Sequence, residues 1–149
     1  MHWSTHVLTG ACWGYAIDSP PAAAAAGIFG HLALDAMPHN DPDKDWGYVL
    51  DSFLGASILA VLFAWRKRDL EWSSTFWGAL GAALPDFELL RNVIRRTEPH
   101  ERLFPSHDGT TPHRETDFRS SMIWEVALFG VSLLAAFIAG RRSQASRNM

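Results

Sequence analysis

An all-α fold, a compact bundle of about five helices with a His/Asp-rich loop end, is what this sequence predicts, and three observations carry the prediction. Apolar blocks alternate with short, very polar loops; residues that start and stop helices bound the blocks; and the charged residues, 19% of the chain, are segregated between the blocks rather than spread through them. At 149 residues the chain fits one domain, read as a single helical unit over 1–140 with a disordered basic tail at 141–149. The mean hydropathy of -0.04 is too low for a protein lying wholly in lipid, but that average hides the segregation. A net charge of -3 gives no reason to expect a nucleic-acid partner. The single cysteine, Cys12, excludes an internal disulfide and a CxxC metal site and is read as a small packing residue. No Lys or Arg precedes the first apolar run, so a cleaved signal peptide is not expected.

The first block spans Ser4 to Ile17, with Ser4 or Thr5 as N-cap and Asp18-Ser19-Pro20-Pro21 as its end. The second runs from Pro21 to Met37: proline suits the first turn, the Ala22–Ala26 run favours helix, and Pro38 ends it. A solvated loop, His39 to Gly47, leads to the third block, Tyr48 to Trp65, which stops at Arg66-Lys67-Arg68. The fourth, Trp72 to Leu90, is expected to break at Leu84-Pro85-Asp86. After a polar stretch at 97–119, the fifth block, Ser121 to Gly140, carries one charge, Glu125.

About 20 apolar residues cross a bilayer core. Blocks three and five approach that length, the fourth is borderline, and the first two are short. Blocks three and five also lack the amphipathic stripe of a helix in a soluble bundle. If the chain alternates direction, Trp3, Trp46, Tyr48 and Trp124 fall at one end and Trp13, Tyr15, Trp65, Trp72 and Trp77 towards the other, as an interfacial belt would place them. The expectation is a multi-pass protein of a bacterial or archaeal inner or plasma membrane, with membrane lipid as a partner; a soluble helical domain is the alternative. Basic residues flank both ends, so the charge rule does not assign sidedness.

The same alternation gathers His2, His6, His31, His39, His100, His107 and His113, the whole histidine complement, at one end. The sharpest motif is Gly30-His31-Leu32-Ala33-Leu34-Asp35-Ala36-Met37-Pro38-His39. On a helix His31 and Asp35 are i and i+4, placing an imidazole and a carboxylate within reach of one ion, and Pro38 turns the chain so that His39 folds back as a further ligand. Nitrogen and oxygen donors suit zinc, one ion or more. The alternative for the pair is a helix-end hydrogen bond. Asp86, presented at a proline break, is read as ligand, bridge or general base, with Glu88 a weaker candidate nearby. His6, at a helix start where a cation is disfavoured, suits a neutral ligating ring or else lies on a frayed end. His2 is assigned no role. The 97–119 loop adds His107 and His113 as ligands and Arg114 or Arg102 to hold a phosphate or stabilise an oxyanion, or else is simply solvated. Glu125 is expected either to face inward as the acceptor behind a ligating imidazole or to reach the interface.

Thr5-His6, Gly30-His31-xxx-Asp35 with Pro38-His39, Gly81-xxx-Pro85-Asp86 and a late histidine loop together resemble the small membrane-bound metal-dependent hydrolases of the inner-membrane, LexA-binding type, with the HxxxD and Pro-Asp motifs in reversed order. More distantly, the pattern is similar to the all-helical zinc-dependent phospholipase C superfamily. That resemblance implies zinc on His31, Asp35 and His39, with His107 or His113 as the late histidine and Asp86 as the aspartate base or ligand. It implies hydrolysis of a phosphoester or phospholipid-like substrate at a membrane. The alternative is a non-catalytic integral membrane protein with a structural metal site.

Overall fold

A computed structural model describes residues 2–39, 45–95, 104 and 116–147. Five helices follow one another: α1 (Trp3–Ala16), α2 (Pro20–Asp35), α3 (Asp45–Trp65), α4 (Leu70–Arg95) and α5 (Phe118–Arg147), and there is no strand among the described residues. The all-α bundle expected from the pattern is the fold observed.

The ends of the helices have identifiable causes. Pro20 and Pro21 occupy the first turn of α2, where a missing N–H costs nothing. The Asp69 carboxylate accepts from Trp72 N (2.9 Å) at the start of α4, and Asp117 accepts from Ser120 N (3.0 Å) at the start of α5. α1 is different. Ser4 and Thr5, expected as caps, lie inside the helix, and the actual N-cap, His2, makes no side-chain cap. Its first-turn donors are met from another helix: Asp51 of α3 accepts from Trp3 N (2.6 Å) and Ser4 N (3.0 Å).

Two expectations are corrected. Pro85 does not break α4, which continues to Arg95 with Pro85 buried inside it. A proline inside a helix leaves the carbonyl four residues before it, here that of Gly81, without its helical donor; α4 is held through this turn by its packing on α1 and α2. Residues 141–147 extend α5 instead of forming a tail, because Arg-Arg-Ser-Gln-Ala-Ser-Arg holds no breaker.

The chain alternates direction. Thr5 meets Glu125 and Trp13 meets Ser132, so α1 and α5 run parallel. Trp3 and Ser4 meet Asp51, while Val7 and Ala11 share a core cluster with Leu62, so α3 runs the same way. His6 meets Asp35, whereas Gly30 lies under the Trp13 ring, so α2 runs antiparallel to α1. α1 packs against all four other helices. Its contact with α4 is close because side chains are missing there: a Cβ on Gly14 would fall on the Ser74 carbonyl oxygen. On α2, a Cβ on Gly27 would fall on the Gly78 carbonyl oxygen and within 2.7 Å of Ala82 N. Small residues thus let backbones approach as they do in membrane helix pairs.

α3 and α5 lie outside this glycine-packed centre. Trp46–Trp65 and Phe118–Ala139 are each long and apolar enough to cross a membrane, and only 17% of either is buried. A core helix of a soluble bundle would be mostly covered; here Leu50, Phe53, Val126 and Val131 are all at least 65% exposed. α5 nevertheless presents a buried seam of Ser121, Glu125, Ser132 and Ala136, which lies towards α1.

Gly14→Val should destabilise the fold by about 1–3 kcal/mol or prevent it, through overpacking. Gly130, with nothing within 4 Å of an added Cβ, should accept alanine without loss. Thermal unfolding of the detergent-solubilised variants checks both.

Candidate metal centre

The stripe Ala23, Gly27, His31, Asp35 lies at i, i+4 spacing along α2 and is buried throughout. Gly27 brings this stripe onto α4, and His31 then reaches both α4 and α1. His31 Nδ1 donates to Ala82 O at 2.7 Å and lies 3.8 Å from Asp86 Oδ2. On the opposite edge of the ring, His31 Nε2 lies 3.0 Å from Asp35 Oδ2. His6, from the first turns of α1, stacks on His31 with ring centroids 3.9 Å apart and 23° between planes. Its Nε2 lies 3.1 Å from the other oxygen, Asp35 Oδ1. Among the described residues, the ligand atoms of His6, His31 and Asp35 all fall within 4.8 Å of one another.

One feature of this geometry decides its chemistry. With its Nδ1 proton committed to Ala82 O, a neutral His31 ring would aim a bare nitrogen lone pair at a carboxylate 3.0 Å away. Two electron-rich groups at that separation require a cation between them, either a proton or a metal ion. His31 is 0% exposed and His6 1%, so water does not screen the contact. The residues therefore fit a metal: two imidazole nitrogens and a carboxylate converge, and a backbone carbonyl fixes the tautomer of one ring. His6 Nδ1 has no hydrogen-bond partner among the described residues.

The protonation of the site without a metal follows from burial and these contacts. Burial pushes the His6 imidazole down to about 4, so it is neutral at physiological pH. Burial also opposes charge on His31, but the Asp35 hydrogen bond and the charge of Asp86 outweigh it and raise its pKa. Asp35 is likewise opposed by burial, yet hydrogen bonds from His31 and His6 hold it well below the carboxylate range. Burial raises Asp86 to about 7 against the attraction of His31. One proton thus occupies the position between His31 and Asp35.

The structure brings together His6, His31 and Asp35 but not every expected ligand. Asp86 stands at the Nδ1 edge of His31, away from the edge that faces Asp35, and lies outside the three-residue group. His39 is buried, donates from Nδ1 to Met37 O at 2.8 Å, and does not join the group. The Thr116 N–H donates to the His39 carbonyl, tying the turn after α2 to the approach to α5. Glu88 is buried and accepts from Phe104 N at 3.1 Å, so it ties Phe104 to α4 and does not join the group. His107, His113 and Arg114 lie outside the described residues. Glu125 faces inward but not towards a ligating ring. It accepts from His2 Nδ1 (2.9 Å), Thr5 Oγ1 (2.7 Å) and Ser121 Oγ (2.9 Å). His2 and Asp51 were missed by sequence reasoning. The available signal was a lone carboxylate within each of the spans Trp46–Trp65 and Phe118–Ala139, which must find partners somewhere.

Comparison of the chain with family models, with curated proteins and with solved structures finds no match in any of the three.

A divalent cation held by His6, His31 and Asp35 would replace the proton between His31 and Asp35, so its uptake should release a proton. Apparent affinity should rise with pH through the titration of His31, whose raised pKa keeps that proton in place at higher pH. Zinc titration in weakly buffered solution, followed by a pH indicator, checks this; uptake without proton release would contradict it.

Proposed function

We propose that the chain is a membrane-associated zinc-dependent hydrolase of phosphoester or phospholipid-like substrates, anchored by α3 and α5. The observation that carries the reading is the convergence of His6, His31 and Asp35 on one buried point, with His31 held in the tautomer that aims Nε2 at the carboxylate. Two histidines and one carboxylate form the open, three-ligand donor set of hydrolytic zinc sites, leaving a position for water. The apolar, outward faces of α3 and α5 support a lipid location for the body. The phosphoester assignment rests on the resemblance of the His31-xxx-Asp35 and Pro85-Asp86 motifs to the membrane-bound hydrolases.

In this reading His6, His31 and Asp35 hold the ion, and Ala82 O fixes the His31 ring. Zinc, when bound, supplies Lewis acidity and a water of lowered pKa. Asp86, whose side chain is 20% exposed, is the proton acceptor; a carboxyl raised to about 7 is matched to acid–base work at neutral pH. His107 and His113 are proposed as further ligands, and Arg114 as the group that stabilises developing negative charge. The near-complete burial of the two imidazoles favours a second reading, a structural ion that locks α1 to α2.

Metal analysis of full-length protein purified in detergent separates these readings. Wild type should carry about one equivalent of zinc, and His31→Ala and Asp35→Ala should carry almost none. Asp86→Asn should keep its zinc but hydrolyse a chromogenic phosphodiester or a short-chain phospholipid about 100-fold more slowly. Zinc retained in both alanine variants would overturn the site, whereas zinc binding without any turnover would select the structural reading. Alkaline carbonate should leave the protein in the membrane pellet, and its release would contradict anchoring by α3 and α5.

A further inference from the structure

We infer that Asp51 and Glu125 are positioning residues of the metal centre: carboxylates carried by the two membrane-length helices clamp the first turn of α1 and so fix His6. This inference rests on the proposed metal reading. His6 projects from the weakest part of its helix. A first helical turn has four N–H groups without intrahelical partners, and it frays unless they are met. The N-cap of α1, His2, supplies no side-chain cap. Two other helices do the work instead. Asp51 of α3 takes the N–H groups of Trp3 and Ser4 and also the Ser4 hydroxyl. Glu125 of α5 takes the His2 ring, the Thr5 hydroxyl and the Ser121 hydroxyl. The His2 carbonyl in turn accepts from His6 N at 3.3 Å, so the residue gripped by Glu125 anchors the backbone of the ligand.

Packing reinforces the clamp. The Trp3 ring lies on Gly55, one turn beyond Asp51, where a Cβ would come within 2.6 Å of it. The same ring meets Phe87, the neighbour of Asp86, edge-on at 5.5 Å. Neither carboxylate belongs to the group that converges on the ion, so each acts on the centre through α1 alone. The arrangement also accounts for one Asp and one Glu on otherwise lipid-compatible helices: each satisfies several donors that hydrocarbon would leave unmet.

Cobalt(II) in place of zinc gives a readout that overall stability does not move, because its visible absorption reports ligand geometry. In full-length protein in detergent, Asp51→Ala and Glu125→Ala should each weaken cobalt binding by about 10- to 100-fold, the usual effect of removing a residue behind a ligand. The cobalt bands of both should shift. Asp51→Asn, which keeps the capping oxygen, should restore affinity and spectrum. Thr5→Val removes one hydrogen bond without leaving a charge unmatched, and it should give a smaller loss of affinity should either alanine variant fail to fold. Wild-type affinity and spectrum in Asp51→Ala, Glu125→Ala or Thr5→Val, alongside lost binding in Asp35→Ala, would overturn the positioning role while leaving the metal centre intact. Absence of cobalt binding by the wild type would overturn both.

Discussion

The Asp35 carboxylate, with one imidazole nitrogen at 3.1 Å and another at 3.0 Å, is the contact around which the chain is organised. Neither imidazole is free to turn away. His31 is tied by its other nitrogen to Ala82 O, and His6 is stacked on His31. A buried carboxylate and two buried rings are costly unless a shared cation neutralises them. Three helices contribute: α1 gives His6, α2 gives His31 and Asp35, and α4 gives the carbonyl that sets the tautomer.

That geometry depends on how closely three backbones approach. Gly27 and His31 lie on one face of α2, one turn apart, and the missing side chain at Gly27 brings α2 onto Gly78 and Ala82. Ala82 is in turn the residue whose carbonyl holds His31. α1 joins the same seam, since a Cβ on Gly10 would come within 2.5 Å of Ala82 Cβ. Small residues therefore set the distances at which the larger polar groups meet. α3 and α5 add apolar outer surface and, through Asp51 and Glu125, two polar contacts to the first turn of α1.

Much of this was legible in the residues. Apolar blocks bounded by Pro20-Pro21, Pro38 and Arg66-Lys67-Arg68 gave the five helices, because breakers and charge act locally. Their alternation placed His6 beside His31 and Asp35, and the i, i+4 spacing of the latter pair is a property of any helix. What local reasoning could not give was cross-chain satisfaction. Pro85 reads as a stop, yet α4 runs through it, packed on α1 and α2. Ser4 and Thr5 read as caps until Asp51, far along the chain, takes that part. Glu125 reads as either the acceptor behind a ligating imidazole or a group at the interface; it faces inward, but onto His2, Thr5 and Ser121, since the face of α1 that meets α5 depends on packing. The Gly10-xxx-Gly14 spacing was present in the sequence and would have signalled the close α1–α4 contact.

Zinc-edge X-ray absorption on the full-length protein in detergent reads out the ligands of the proposed ion. A centre built from His6, His31 and Asp35 requires a first shell of nitrogen and oxygen at about 2.0–2.2 Å, with multiple-scattering features of two imidazoles and no sulfur. It further requires that one imidazole disappear from that signal in His6→Ala. A shell containing sulfur, or one unchanged when His6 is removed, would contradict it.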